Sequence, residues 1–373
     1  MAALAVGATE THLASTRGPL LAQLIDAADA VYDPTKVRRA GGRARFDYLA
    51  CRTAGMRDAP AAVGPAGAAV LGDLDDIHWP SVTHLGAIVW TAVEQAGAMG
   101  DQVWYAAHMG YEVAARIGAA LGAEHRRYWH ATSTAGTVGA AVAAAAASGA
   151  DPVTAAGHAI SVTGGSILCI LERTGTRVLH RDHAVAAGIR CARLSDLPAA
   201  VDSLEHPRGF FAAMGGAPGS LLESRASTAL EEVSFRAHPT SGFNQAAVEA
   251  AQELGPVADG DDIAALELDV PEATAALAGI AEPKDLEEAW WSCQHAVAVT
   301  LLGLDLAICP VDDPAVARLR SRVKLRGGSS VTRLTLDGRM VERDRAAELS
   351  DADLVAKWRR LNPEVEPPME LLS

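Results

Sequence analysis

At 373 residues, with 49% apolar but only 5% aromatic side chains, the chain can bury a large core built mostly from Ala, Val and Leu, as closely packed helices require. A formal charge of −14 argues against a nucleic-acid partner, because a phosphate backbone needs a basic face and no basic patch compensates. Five cysteines without a CxxC pair read as reduced cytoplasmic thiols; there is no signal-peptide pattern, and the apolar run 140–147 is far shorter than the ~20 residues of a membrane span.

In chain order, residues 1–17 read as a loose tail, and 18–53 as two scaffold helices parted by Asp33-Pro34. A short Ala/Gly/Pro connection, 54–72, leads to DLDDIHWPSVTHLG, where three carboxylates and two imidazoles fall within the fourteen residues 73–86. Asp is a poor helix former and Pro80 pushes Trp79 out of the helical region, so this run is a loop, feeding a helix over about 85–97. A carboxylate beside an imidazole supplies the parts for moving a proton near neutral pH. The plainer reading is that these acids only cap the helix and complement its dipole.

The stretch 101–121 has helical spacing, its glycines allowing close helix approach, with Arg116 a solvated or capping residue and His108 equally structural. In YWHATSTAGTVGAAV, His130 precedes Thr132, Ser133 and Thr134, which are placed to cap the next helix; a helix N-terminus readily holds a carboxylate. Gly164-Gly165 reverses the chain, and His180 and His183 read as surface residues. From 261 the pattern becomes mixed: a strand in IAALELDVP, one apolar helix in EEAWWSCQHAVAVTLLG, a strand in SRVKLRG and a hairpin turning at Asp337-Gly338.

The 73–86 loop resembles the signature of the MmgE/PrpD family, D-F-D-D-T-H followed by T-H-P-G: Asp73, Asp75, Asp76, His78, Thr83, His84 and Gly86 fall on it, with Ile77 and Leu85 replacing Thr and Pro. GYEVAARIG is similar to a family hallmark. His130, Thr132 and Gly136 match G-x-H-x-T-x-x-x-G, whose His is in the family's active site, with Tyr128 in place of the first Gly. RVLHRDHAVAAG and FRAHPTSGFNQAAVEAA align with two blocks that each carry an active-site Lys, so Arg177 and Arg236 replace those lysines, with His238 an added candidate beside the second. His295 stands where a Tyr is common. The resemblance runs over most of residues 30–365, with a shortened segment ahead of the signature loop, as in a compact, divergent member.

The resemblance implies a mainly α fold: a helical domain over 18–230, completed by 346–373, and a smaller α+β lid over 231–345, assembled as a cytoplasmic homodimer. It implies a cofactor-independent lyase, a dehydratase or decarboxylase, acting next to a carboxylate on a small polycarboxylate or related acid. His130, His84 and Asp73 would be catalytic; His130 leads as proton carrier, because Arg cannot give up a proton. Arg177 and Arg236, with His78, Thr132, His238 and His295, would hold substrate. No metal or organic cofactor is implied. An isomerase or epimerase of a similar acid is the alternative, and a catalytically silent binding relative another: the two Arg replacements favour the latter, and retention of Asp73, His84 and His130 speaks against it.

Overall fold

A computed structural model describes residues 18–257 and 263–373; the expected loose tail, 1–17, lies outside the described residues. The fold is mainly α. The first helices are α1 (Leu20–Asp29) and α2 (Pro34–Asp58), and the Asp33 side chain caps α2 by accepting from the Thr35 and Lys36 N–H groups. Helix α2 runs beyond the predicted end at 53, and the connection that follows holds a short α3 (Pro65–Ala68).

The signature loop contains strand β1 (Ile77–His78) and leads into α4 (Gly86–Gln95), α5 (Gln102–His125), α6 (Ala131–Ser148), α7 (Pro152–Val162), α8 (Leu168–Leu171), α9 (Thr176–Arg193) and α10 (Phe210–Met214). Small residues let these helices touch. A Cβ added to Gly139 of α6 would lie 2.7 Å from the Gly110 carbonyl oxygen of α5, and one on Gly188 of α9 would lie 2.5 Å from the Ala140 Cβ. That closeness explains how so few aromatics suffice. Arg116 corrects the sequence reading: it is buried, donating to Glu112 of its own helix and to the Leu221 and Glu223 carbonyls, while His108 is sealed against the Ala28 carbonyl.

Strand β2 (Val233–Ser234) pairs antiparallel with β1, so the segment around it packs with the first core rather than the second. The second core is formed by α11 (Gln245–Leu254), β3 (Leu266–Asp269), α12 (Glu272–Ala278), α14 (Cys293–Leu301), α15 (Pro314–Arg322), β4 (Val323–Arg326), β5 (Thr332–Leu336) and β6 (Arg339–Arg343), with α13 (Leu286–Trp291) leading into α14. Its sheet has the order β4-β3-β5-β6, parallel only between β3 and β4. The hairpin turns at Asp337 and Gly338, both at positive φ as a two-residue turn of this hand requires. The single apolar helix predicted over this region is two, broken at Ser292, whose extended backbone ends α13 and whose hydroxyl accepts from the His295 N–H to start α14. Among the described residues no helix is long and apolar enough to cross a membrane.

Helix α16 (Asp351–Leu361) returns to α2, packing Leu354 and Trp358 on Phe46. Lys357 is buried there and donates to Asp47 and to the Leu74 carbonyl, joining the C-terminal helix to the signature loop between Asp73 and Asp75. Lys357→Met is expected to cost ~3–5 kcal/mol in urea denaturation, because it strands a buried carboxylate, and Lys357→Met with Asp47→Leu should recover most of it. A single variant as stable as the parent would show that the pair contributes nothing.

Candidate active site

Asp73 sits in a left-handed backbone conformation, φ +55, immediately after Gly72 at φ +85, so the chain turns sharply and points the carboxylate inward. Its Oδ1 accepts from Arg177 Nη1 at 3.1 Å and from Arg236 Nη1 at 3.2 Å. Arg177, on α9, also donates through Nε to Glu287 of α13 at 2.9 Å, and Arg236 donates to the Asp75 carboxylate and, at 2.7 Å, to the Asp75 carbonyl. All three members of this core, Asp73, Arg177 and Arg236, are buried. Burial by itself would raise the Asp73 carboxyl, but the two guanidiniums overcome it and hold the group at about 2. The two arginines assigned to substrate from the sequence are thus already bound to protein carboxylates.

Arg181, which the sequence reading passed over, is the cation left unspent. It lies one helical turn after Arg177 on α9, is 3% exposed, and among the described residues makes no ion pair; its one hydrogen bond is from Nη1 to His130 Nε2, at 3.2 Å. Its Nε is buried without a hydrogen-bond partner, as are Asp73 Oδ2 and Asp75 Oδ2, the last lying 3.5 Å from His84 Nδ1. Buried orphan donors and acceptors are rare, and three around one cluster mark a place where a ligand or water completes the bonding. Burial pushes the guanidinium below its ordinary value, with Asp75 the strongest opposing influence. The signal available in the sequence was the four-residue spacing from Arg177.

His84 is held by its loop. Its backbone N–H donates to Thr132 Oγ1 at 3.2 Å, so Thr132, expected to cap α6, instead anchors the signature loop; no side chain caps α6. The ring Nδ1 is 2.6 Å from the Asp76 carbonyl, which can only accept, so the proton is on Nδ1 and Nε2 carries a lone pair. Nε2 has no partner among the described residues, and the side chain is 22% exposed, leaving that nitrogen open to an incoming molecule. Burial lowers the imidazole to about 4, with Asp75 pulling up and Arg236 and Arg181 pushing down.

His130 has no free nitrogen. Nε2 accepts from Arg181, which assigns the ring proton to Nδ1, and Nδ1 lies 3.0 Å from His180 Nδ1. Burial, then Arg181 and His180, hold it well below the ordinary imidazole value. His180, expected on the surface, is therefore a half-buried neighbour of His130, whereas His183 is exposed.

The other predicted groups lie apart from this cluster. His78 is saturated by Ser81 Oγ at 2.7 Å and Glu232 at 3.0 Å; His238 faces Arg360, and burial brings it to about 4; His295 sits in the second core beside Arg320, 3.3 Å from its Nη1. Spacing along the chain carried no information about these partners.

Residues 61–220 match the family model for the MmgE/PrpD N-terminal domain, a span that includes Asp73, His84, His130, Arg177 and Arg181 but neither Arg236 nor Glu287. No curated protein matches the chain.

Asp76 behaves oppositely to Asp73: burial, then the charges of Asp75 and Asp47, raise it to about 7 against the Gly86 N–H and Tyr111 hydroxyl. The folded chain keeps this proton where the unfolded chain has lost it, so the contribution to stability is full below pH ~4 and is lost as pH rises to ~7. Asp76→Asn is expected to remove that decline, worth roughly 4 kcal/mol between pH 4 and 8 in denaturant titrations. Parallel stability profiles for the parent and Asp76→Asn would refute this account.

Proposed function

The chain belongs to the MmgE/PrpD family, known for lyases and dehydratases, and we propose that it removes a proton next to a carboxylate of a small polycarboxylic or related acid, as a dehydratase does. The observation that carries this reading is an unspent base beside an unspent cation: among the described residues His84 Nε2 has no partner, and buried Arg181 has no carboxylate in ion-pairing distance. In this scheme the substrate carboxylate supplies the counter-charge that Arg181 lacks. His130 is a positioning residue, orienting the guanidinium through Nε2, and Asp73 keeps Arg177 and Arg236 in place.

The arriving negative charge also raises the His84 imidazole from about 4, so the ring gains basicity when substrate binds. Nε2 takes the proton from the carbon beside the carboxylate. The C–H electron pair becomes the new carbon–carbon double bond, and the leaving group on the next carbon departs with its own bonding pair. A free base favours this chemistry, or epimerisation through the same carbanion, over decarboxylation, which needs no proton removed from carbon. Neither step requires a cofactor in this reading. A cytoplasmic homodimer completes the proposal, to be tested by fractionation and sedimentation. A binding-only relative is the second reading; it is favoured by the saturation of Arg177 and Arg236 by Asp73, Asp75 and Glu287.

The test is a panel of small hydroxy di- and tricarboxylic acids, followed for consumption and for deuterium exchange in heavy water. His84→Gln should lower turnover ~10²- to 10⁴-fold with affinity largely kept. Arg181→Met should instead weaken binding, by the ~1.5–3 kcal/mol of a charge-assisted hydrogen bond. Because the free base must be neutral, kcat/KM should fall only as pH drops through about 4, not at the ordinary imidazole value. No consumption or exchange with any acid would leave the binding-only reading standing, and full turnover in His84→Gln would remove His84 from the role of base.

A further inference from the structure

The Nδ1 edge of His130 faces groups that the proposed chemistry does not use. His130 Nδ1 and His180 Nδ1 are 3.0 Å apart, and Cys169 Sγ lies 3.4 Å from His180 Nδ1 and 3.9 Å from His130 Nδ1. These three ligand atoms lie within 4.8 Å of one another, and the three side chains come from separate elements: the residue before α6, α8, and the second turn of α9. In a tetrahedral zinc site, with nitrogen at ~2.05 Å and sulfur at ~2.3 Å, two nitrogens stand ~3.3 Å apart and nitrogen and sulfur ~3.6 Å. Every edge of the triangle here agrees with those values to within about 0.4 Å. Hydrogen-bond contacts join the two rings to each other and the thiol to each ring, so the metal-free chain already holds the three edges that a cation would span.

We propose that His130, Cys169 and His180 form a binding site for a divalent cation of the zinc type, with a fourth position open to water or a small ligand. The donor set is suitable: two imidazoles and a thiol that gives its proton to solvent on coordination, a mixture that selects borderline-soft ions over magnesium or calcium. The loop between α7 and α8 is built to bring the three together. The His130 N–H donates to the Gly165 carbonyl at 2.9 Å, and the Ile167 N–H to the Tyr128 carbonyl at 3.0 Å, pinning the segment that leads to Cys169 against the segment that carries His130. Gly165 is at φ +123, and a Cβ there would stand 3.1 Å from His180 Cε1, so the close passage beneath that ring requires glycine.

Occupancy has a consequence for Arg181. A neutral imidazole bound through Nδ1 carries its proton on Nε2, and then cannot accept from Arg181 Nη1. Asp75, the carboxylate acting most strongly on Arg181, has its buried Oδ2 unbonded and offers a replacement acceptor. Metal binding would thereby draw the guanidinium from its proposed anion-holding position. This consequence rests on the lyase reading; the site itself does not.

The experiment is titration of the reduced, metal-stripped full chain with cobalt(II), which needs no substrate and so fails or succeeds independently of the lyase assignment. The expected result is one equivalent bound with a thiolate-to-cobalt charge-transfer band, displaced by zinc. In Cys169→Ser the band should vanish, and in His180→Ala affinity should fall by more than the ~10–100-fold that losing an outer-sphere partner costs. Circular dichroism establishes that both variants are folded. Absence of the band at stoichiometric cobalt in the parent chain, or its survival in folded Cys169→Ser, would overturn the proposal.

Discussion

The arrangement depends on one buried ion cluster, in which Asp73 Oδ1 is shared between the guanidiniums of Arg177 and Arg236. Charges taken from water are costly, and such a cluster persists only when nearly every lone pair and N–H finds a partner. The chain meets that condition by recruiting distant segments: α9 brings Arg177, the segment just after β2 brings Arg236, and α13 brings Glu287. The cluster therefore ties α9 and α13 to the signature loop. The same logic explains why so acidic a protein buries Arg177, Arg236 and Arg116: they offset Asp73, Asp75 and Glu112, which could not otherwise be buried ionised.

With those two arginines committed to structure, the electrostatics around His84 are set by what remains. Arg181 is close enough to depress both His84 and His130 and, among the described residues, has no carboxylate within ion-pairing distance. In the proposed function a site poised in this way would bind an anion with little reorganisation, because the cation and its orienting imidazole are already fixed. The cost of that poise is borne by the unbonded atoms Arg181 Nε, Asp73 Oδ2 and Asp75 Oδ2. His130 stands between two environments, Arg181 on one nitrogen and the His180–Cys169 pair on the other, and the proton on its ring decides which of them it serves.

Glycine and alanine account for much of how this is achieved. Helices α5, α6 and α9 meet at glycines where any Cβ would collide, which places the start of α6 and the second turn of α9 near enough for His130 to touch both Arg181 and His180. A core of larger side chains would hold these backbones further apart.

Several features were determined by the sequence alone, because they arise from local rules. Helical periodicity, the Asp33-Pro34 break, the hairpin at Asp337-Gly338 and the loop character of 73–86 all follow from backbone preference and side-chain pattern. The mainly α fold was legible too, as was the match of residues 61–220 to the MmgE/PrpD N-terminal domain, through the spaced motifs that this span carries. Tertiary structure alone decided the division of labour among the charged groups. Arg177, Arg181 and Arg236 are chemically alike in the sequence; they differ because Asp73, Asp75 and Glu287 reach two of them and not the third. The same holds for His84 and His130, one left with an open nitrogen and the other closed by Arg181 and His180, and for Arg116, read as solvated yet buried against Glu112. A buried charge takes its role from the partners around it, and those are chosen by contacts across the fold, which spacing along the chain does not encode.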